Sequence, residues 1–301
     1  MTQTVICHKC GYTWLYKGKS TVPHCPRCHY KVFLLNRIKQ ENNTESSNLA
    51  VGLTRHTVTL TTDEDRIRIV PWGDVHIGAP ERQCQWDKAK AELDYVLNHK
   101  NTYLLGMGDY MDCAQKMPWR RGPNIYRESL PPMQQYKRIL EALKPLAEKR
   151  KILGLHWGNH EEWIMEQTGF QPVQMLCDAL NVPMLGPACE TIIHVNKQTY
   201  LFYSQHGASN AKLKHTKLGA LIAAVKDVYA DVYLYGHVHQ LAATRGAKRF
   251  RQQTFKVYYV LTGHFLDWEG SYAQQFGLDP SPSGCAQIKL FADRHDVHVS
   301  I

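Results

Sequence analysis

Five stretches of the 301-residue chain concentrate the residue types that hold cations and move protons. They are Gly73-Asp74-Val75-His76, Gly108-Asp109-Tyr110-Met111-Asp112, Gly158-Asn159-His160-Glu161, a single His206, and Gly236-His237-Val238-His239. A lone aspartate or histidine after a strand is ordinarily a solvated or capping group. Gathered in one crevice, Asp74, His76, Asp109, Asn159, His206, His237 and His239 would be costly to bury unpaired, and two divalent cations would satisfy them with carboxylate, amide and imidazole ligands. One residue separates the two polar groups in Asp74-Val-His76 and in His237-Val-His239, so both can reach a cation from a strand end or an irregular turn. The neighbouring glycines let the backbone approach closely.

The elements that must carry these groups are legible around them. Each stretch closes an apolar, β-rich run: RIRIVPW, TYLLGM, KILGLHW, TYLFYSQ and DVYLY. Residues 86–100, 133–150 and 218–230 place apolar side chains at three- and four-residue spacing, which predicts helices between the strands. Strands alternating with helices predict an α/β sheet, and the carboxyl ends of its strands form the crevice. Near the carboxyl terminus, AQIKLFA and DVHVSI read as two closing strands and PSPSG before them as a loop.

In order and kind, the motifs DxH, GDxxD, GNHE, a later histidine and GHxH resemble those of the calcineurin-like metallophosphoesterase superfamily, across about residues 68–240. The resemblance implies an αββα fold, a β-sandwich flanked by helices, with a dinuclear metal centre at its edge. By position, Asp74, His76 and His239 would hold one ion, Asn159, His206 and His237 the other, and Asp109 would bridge both. It further implies hydrolysis by a metal-bridging hydroxide, with His160 facing the substrate and Asp112 orienting it. Mn²⁺ is the expected metal, while Fe, Zn²⁺, Ni²⁺ and Mg²⁺ suit the same donors. His264 is a further candidate for lining the site. Two departures keep the subfamily open. Cys113 stands where phosphoprotein phosphatases carry a phosphate-binding arginine, and the stretch after Asp112 lacks the extra histidine of some nucleases of the superfamily.

The amino-terminal segment has a different chemistry. Cys7 and Cys10, then Cys25 and Cys28, form two CxxC pairs whose separation suits four thiolates around one structural Zn²⁺, and the segment resembles a zinc ribbon. The other five cysteines are scattered, which fits free thiols better than a disulfide framework. The expected domains are a ribbon at 1–36, a polar linker at 37–55 and a metallophosphoesterase domain at 56–301. No apolar run approaches the roughly 20 residues of a membrane span, and no signal segment opens the sequence. The expectation is a cytoplasmic protein without membrane contact.

The net charge of +9 favours polyanionic partners, and residues 1–50, with seven Lys/Arg against two Glu, carry more than half of it. Basic residues also follow the motifs: Arg120 and Arg121, then Lys212, Lys214 and Lys217, then Arg245, Lys248, Arg249 and Arg251. Those rimming the crevice would contact phosphates. Together these features point to a phosphodiesterase of nuclease type acting on DNA or RNA, with the ribbon as a nucleic-acid, protein or self-association module. A phosphatase or hydrolase of a smaller phosphorylated molecule, a cyclic nucleotide or a phosphoprotein is the alternative, and a binding scaffold with an inert site is a third.

Overall fold

The computed structural model describes residues 3–6, 13–16, 24, 26–27, 53–79, 83–113, 130–209, 211–250, 253–269, 271–275 and 277–301. The chain divides into two units, Met1–Leu49 and Ala50–Ile301. In the first, β1 (Gln3–Ile6) and β2 (Thr13–Tyr16) pair antiparallel. Cys7, Cys10, Cys25 and Cys28 lie outside the described residues, as do Arg120 and Arg121.

The second unit begins with β3 (Leu53–Leu60), β4 (Arg66–Trp72), α1 (Trp86–Asn98), β5 (Thr102–Gly106), α2 (Pro132–Glu148) and β6 (Ile152–His156). It continues through α3 (Asn159–Thr168), α4 (Pro172–Leu180), β7 (Met184–Gly186), β8 (Ala188–Val195), β9 (Gln198–Gln205) and α5 (Lys214–Ala224). The remainder is β10 (Val232–Tyr235), β11 (Leu241–Phe250), β12 (Gln253–His264), α6 (Tyr272–Gln275), β13 (Gly284–Cys285), β14 (Gln287–Phe291) and β15 (Val297–Ser300).

These strands form two sheets rather than the one that strand–helix alternation alone suggests. The first has the order β15-β14-β4-β5-β6-β7, and β4 to β7 run parallel. The second has the order β11-β12-β10-β9-β8-β3, with β9, β10 and β12 parallel and β13 added to β12. Alternating side chains of both sheets fill the space between them: Ile67, Ile69, Leu105, Ile288 and Leu290 from one meet Ile193, Tyr200, Phe202, Val232 and Leu234 from the other. Each aliphatic side chain so buried contributes about 1.5–3 kcal/mol.

Helices cover the outer faces. Ala89, Leu93 and Val96 form the buried stripe of α1, and the Trp72 indole N–H donates to the Ala89 carbonyl at 3.1 Å, which ties β4 to that helix. On the other side, Leu221 of α5 and the following Val225 pack against Tyr203, Tyr233 and Tyr259. The mixed α/β sandwich flanked by helices is therefore present. His156 joins the two sheets through a fixed tautomer: its Nδ1–H donates to the Gly186 carbonyl at 2.7 Å, leaving Nε2 to accept from the Ser204 hydroxyl at 2.8 Å. No helix among the described residues is long and apolar enough to cross a membrane.

Candidate metal centre

The groups singled out in the sequence meet where strand ends of both sheets converge. Asp74 and His76 follow β4, Asp109 and Asp112 follow β5, and Asn159 and His160 open α3 after β6. From the second sheet, His206 follows β9, and His237 and His239 follow β10. Asp74, His76, Asp109 and His206 are buried, whereas His160 and Asp112 each leave 17% of the side chain exposed at the mouth.

The chain reaches this geometry by bending against its own preference. Asp74, His76, Asp109, His237 and His239 all sit at φ between +48° and +64°, a left-handed conformation that ordinary residues enter at a cost of roughly 1–2 kcal/mol each. Such outliers persist where surrounding structure over-determines them. Here the turns after β4 and β5 lock together: Asp74 N–H donates to Gly108 O at 2.9 Å, His76 N–H to Asp109 O at 3.0 Å and Asp112 N–H to Ile77 O at 3.0 Å. The His237 N–H donates in turn to the Asp74 carboxylate at 3.0 Å.

The side-chain atoms converge in three overlapping groups: two share the Asp109 carboxylate, and a third joins His76 to Asp112 and His160 at the mouth. Asp74, His76, Asp109 and His239 offer ligand atoms within 4.8 Å of one another, and so do Asp109, His206 and His237. Asn159 completes the second group, its Oδ1 standing 3.2 Å from His206 Nε2 and 2.7 Å from His237 Nδ1. His206 donates Nδ1–H to the Met107 carbonyl at 2.8 Å, so a neutral ring turns a bare Nε2 lone pair toward Asn159 Oδ1 and toward Asp109 Oδ2 at 3.2 Å. A lone pair facing two oxygens requires a proton or a cation between them. With protons alone, burial would lower His206, but the Asp109 charge raises it to about 10. Burial would likewise raise Asp109, but His206, His160 and His76 hold it well below the usual carboxylate range. His237 is pushed down to about 4 by burial and by the charge of His206. Hard oxygen and imidazole donors, bent inward at backbone cost and short of positive charge, fit a pair of divalent cations.

His160 is held differently from the metal-facing groups. Its Nδ1–H donates to the main-chain carbonyl of Asp112 at 2.5 Å, while the Asp112 carboxylate lies 3.7 Å away. Orientation thus comes through the backbone of Asp112 rather than through the carboxylate that the sequence suggested. The ring is packed between His76, at a centroid distance of 4.5 Å, and Trp163, at 4.3 Å, leaving Nε2 on the side of Asp109 Oδ2 at 4.0 Å.

Two supporting residues had no role assigned from the sequence, although Glu161 belongs to one of its motifs. Glu161 is fully buried and accepts three main-chain N–H groups, from Asp109 at 3.0 Å, Met111 at 3.0 Å and Gly158 at 2.9 Å. Burial and the nearby Asp109 charge push its carboxyl up to about 7. Its signal was the acid three residues after Gly158 at the start of a helix, a capping pattern. Trp163 had a weaker one: it stands one helical turn after His160, on the same face.

The basic candidates separate. Lys212 and Lys214 are exposed at the start of α5, whereas Lys217 is 2% exposed and turned inward. Arg245 and Arg249 are exposed on β11, an edge strand that leaves the cluster at Leu241. At about 3.3 Å per residue, Arg249 lies more than 20 Å along it from Leu241 and does not rim the crevice, whereas Arg245 lies about half as far along the strand. Lys248 donates to the carbonyls of Val225 and Val228 beyond α5 and caps that helix instead. His264, at the end of β12, does line the site: its ring stacks on His239 with centroids 5.7 Å apart.

Comparison with known proteins follows from this geometry. The sequence model of the calcineurin-like phosphoesterase family, Metallophos, matches residues 67–266, about two thirds of the chain. No curated protein matches. Among solved structures, Vacuolar Protein Sorting 29 from Cryptosporidium parvum is similar at 13% identity over 79% of this chain and 98% of that one, with a TM-score of 0.37. Vps29 from Entamoeba histolytica complexed with Zn²⁺ is similar at 13% identity over 78% and 97%, with a TM-score of 0.35.

Proposed function

The chain belongs to the calcineurin-like phosphoesterase family, and from that premise we propose that its strand-end cluster holds two divalent cations and hydrolyses phosphodiester bonds in nucleic acid. The observation that carries the reading is the shared Asp109, whose carboxylate belongs to two of the ligand groups. Asp74, His76 and His239 would hold one ion and Asn159, His206 and His237 the other, with Asp109 between them. Bound there, the pair would supply Lewis-acid polarisation of the phosphoryl oxygens and an activated water near neutral pH, and Mn²⁺ is the metal proposed.

The residues of the chain do the rest. The Met107 carbonyl keeps His206 Nε2 turned inward, and Glu161 keeps the Asp109 turn in place. His160 donates its Nδ1–H to the Asp112 carbonyl, so Nε2 is the atom that meets the substrate; when the ring also carries a proton on Nε2, that proton passes to the departing oxygen and leaves the imidazole neutral. Exposed Lys212 and Lys214, at the start of α5, and the net charge of +9 favour a polyanionic substrate. Cys7, Cys10, Cys25 and Cys28 would close around one structural Zn²⁺, giving a separate docking module before residue 37.

The test compares bis-p-nitrophenyl phosphate, p-nitrophenyl phosphate and labelled single- and double-stranded DNA and RNA, with Mn²⁺ and with the Asp109→Ala variant as control. Cleavage of diester and polymer, lost in the variant, is the expected result. Turnover of the monoester alone would replace the reading with a phosphatase, and a metal-loaded protein inert on all of them would replace it with a binding scaffold.

A further inference from the structure

β3 ends its sheet: it pairs parallel with β8 on one side, and among the described residues no strand pairs with the other. Such an edge presents a row of unpaired N–H and C=O groups. The first half of β3 leans on β7, where the Thr54 hydroxyl donates to the Leu185 carbonyl at 2.5 Å. β7 is only three residues long, and past it a trough of about 530 Å³ opens along residues 56–61. That volume falls within the roughly 300–1,000 Å³ of ligand sites, and at about 3.3 Å per residue the trough runs about 20 Å, the length of one strand.

Val58, Tyr103, Ile152 and Leu153 give the trough an apolar floor. Its opposite wall is cationic: Lys100, Lys149, Arg150 and Lys151 line it, and among the described residues no carboxylate does. Two of these charges are engaged already. Lys100 pairs with Asp63 at 2.8 Å, and the buried Lys151 ammonium donates to the carbonyls of Val96 and His99 at 2.8 and 2.5 Å. Lys149 and Arg150 are exposed, and no ion pair among the described residues engages them. Arg150 holds a φ of +54° just past α2, where helices ordinarily end on glycine, so this arginine is kept at a backbone cost of about 1–2 kcal/mol.

We infer that the outer edge of β3 receives an extended acidic segment of a partner protein, added to the sheet as a further strand with its apolar side chains on the floor and its carboxylates against Lys149 and Arg150. Main-chain hydrogen bonds supply the affinity and the cationic wall selects the partner. Residues 149–151 lead into β6, whose far end bears Asn159, and β3 runs opposite to β9, whose end bears His206. The trough thus lies at the end of the strands away from the metal centre, and the inference does not depend on the phosphoesterase reading.

The experiment selects random linear peptides, displayed on phage, against the full chain and measures binding of the synthesised selected sequence by fluorescence polarisation. An acidic sequence is expected, bound at least about tenfold more weakly by the double variant Lys149→Glu, Arg150→Glu. Only alternate amides of an added strand face β3, so N-methylation of one alternating set is expected to abolish binding and that of the other to leave it within about twofold. Binding is also expected to slow amide exchange in residues 56–61. Thermal melting establishes that the variant folds, and if it does not, the two methylated peptides decide on wild type alone. Selection of no acidic sequence, binding that survives the folded double variant, or an equal effect of both methylated sets overturns the inference. Binding of labelled single-stranded DNA or RNA that the double variant loses, with no acidic peptide selected, would overturn it too and assign the trough to nucleic acid.

Discussion

Asp109 gathers the most constraints of any side chain in the cluster. Its carboxylate meets two groups of ligand atoms, its Oδ1 accepts the His160 N–H at 2.9 Å, and its own N–H is held by Glu161. Glu161 touches no reacting atom, yet it fixes where Asp109 stands. In Glu161→Gln an amide NH₂ replaces one accepting oxygen opposite main-chain N–H groups. Supporting residues of this kind typically cost 10- to 100-fold in metal affinity when changed, and that loss is expected in a Mn²⁺ titration of the folded variant. The motif residues were legible in sequence because each sits within a few positions of a strand end, so spacing alone groups them. Lys217 was read together with Lys212 and Lys214 as one basic run. Its burial follows from helix phase, since Lys217, Leu221 and Val225 recur at four-residue spacing on the inner face of α5 and just beyond it.

At the scale of elements, the site is a set of interlocked turns. Gly108 has a φ of +91°, and a Cβ there would lie 2.6 Å from the Gly158 nitrogen and 2.7 Å from the Trp157 carbonyl carbon. These are backbone atoms that cannot rotate away. Gly158 is as tightly placed, since a Cβ on it would meet the Asp109 carboxylate at 2.0 Å. Gly108→Ala is therefore expected to lose at least about 2 kcal/mol of stability, read by urea unfolding, and to weaken Mn²⁺ binding at the same time. Loss of stability with metal affinity intact would show that the turns are not coupled in this way. Helices α1 and α2 and the strands bearing motifs were legible from apolar period and from what followed them; α5 was expected over 218–230 and instead runs Lys214–Ala224, and α4 was not expected. The β11–β12 hairpin was not legible: its basic run was noted only as charge following a motif, although Arg245, Ala247 and Arg249 alternate outward as a strand requires. α3 was hidden too, because its first residues are the motif itself.

For the molecule as a whole, two sheets closing on one core bring strand ends from distant parts of the chain to one edge, and His156 is a polar tie between them. Burial holds its imidazole down to about 4, below the ordinary 6.5. The unfolded chain takes up that proton as pH falls below 6.5, while the folded protein resists until about 4. The stability His156 contributes is thus fully present above pH 6.5 and is lost progressively as pH falls toward 4. At pH 5 the loss is about 2 kcal/mol. Urea midpoints at pH 7.5 and pH 5 should differ by less in His156→Gln than in wild type, and an unchanged difference would assign the acid sensitivity elsewhere. That two sheets rather than one carry the site was not deducible from strand–helix alternation, which is local, whereas sheet partnership is set by packing. The central claim is that a two-cation phosphoesterase uses His160 to move a proton without binding metal through it. It is tested most directly by kcat for bis-p-nitrophenyl phosphate and by bound Mn²⁺ in wild type and His160→Ala. The account predicts a fall in kcat of roughly 10²- to 10⁴-fold with Mn²⁺ content unchanged. Full activity in the variant, or loss of Mn²⁺ in step with activity, would contradict it.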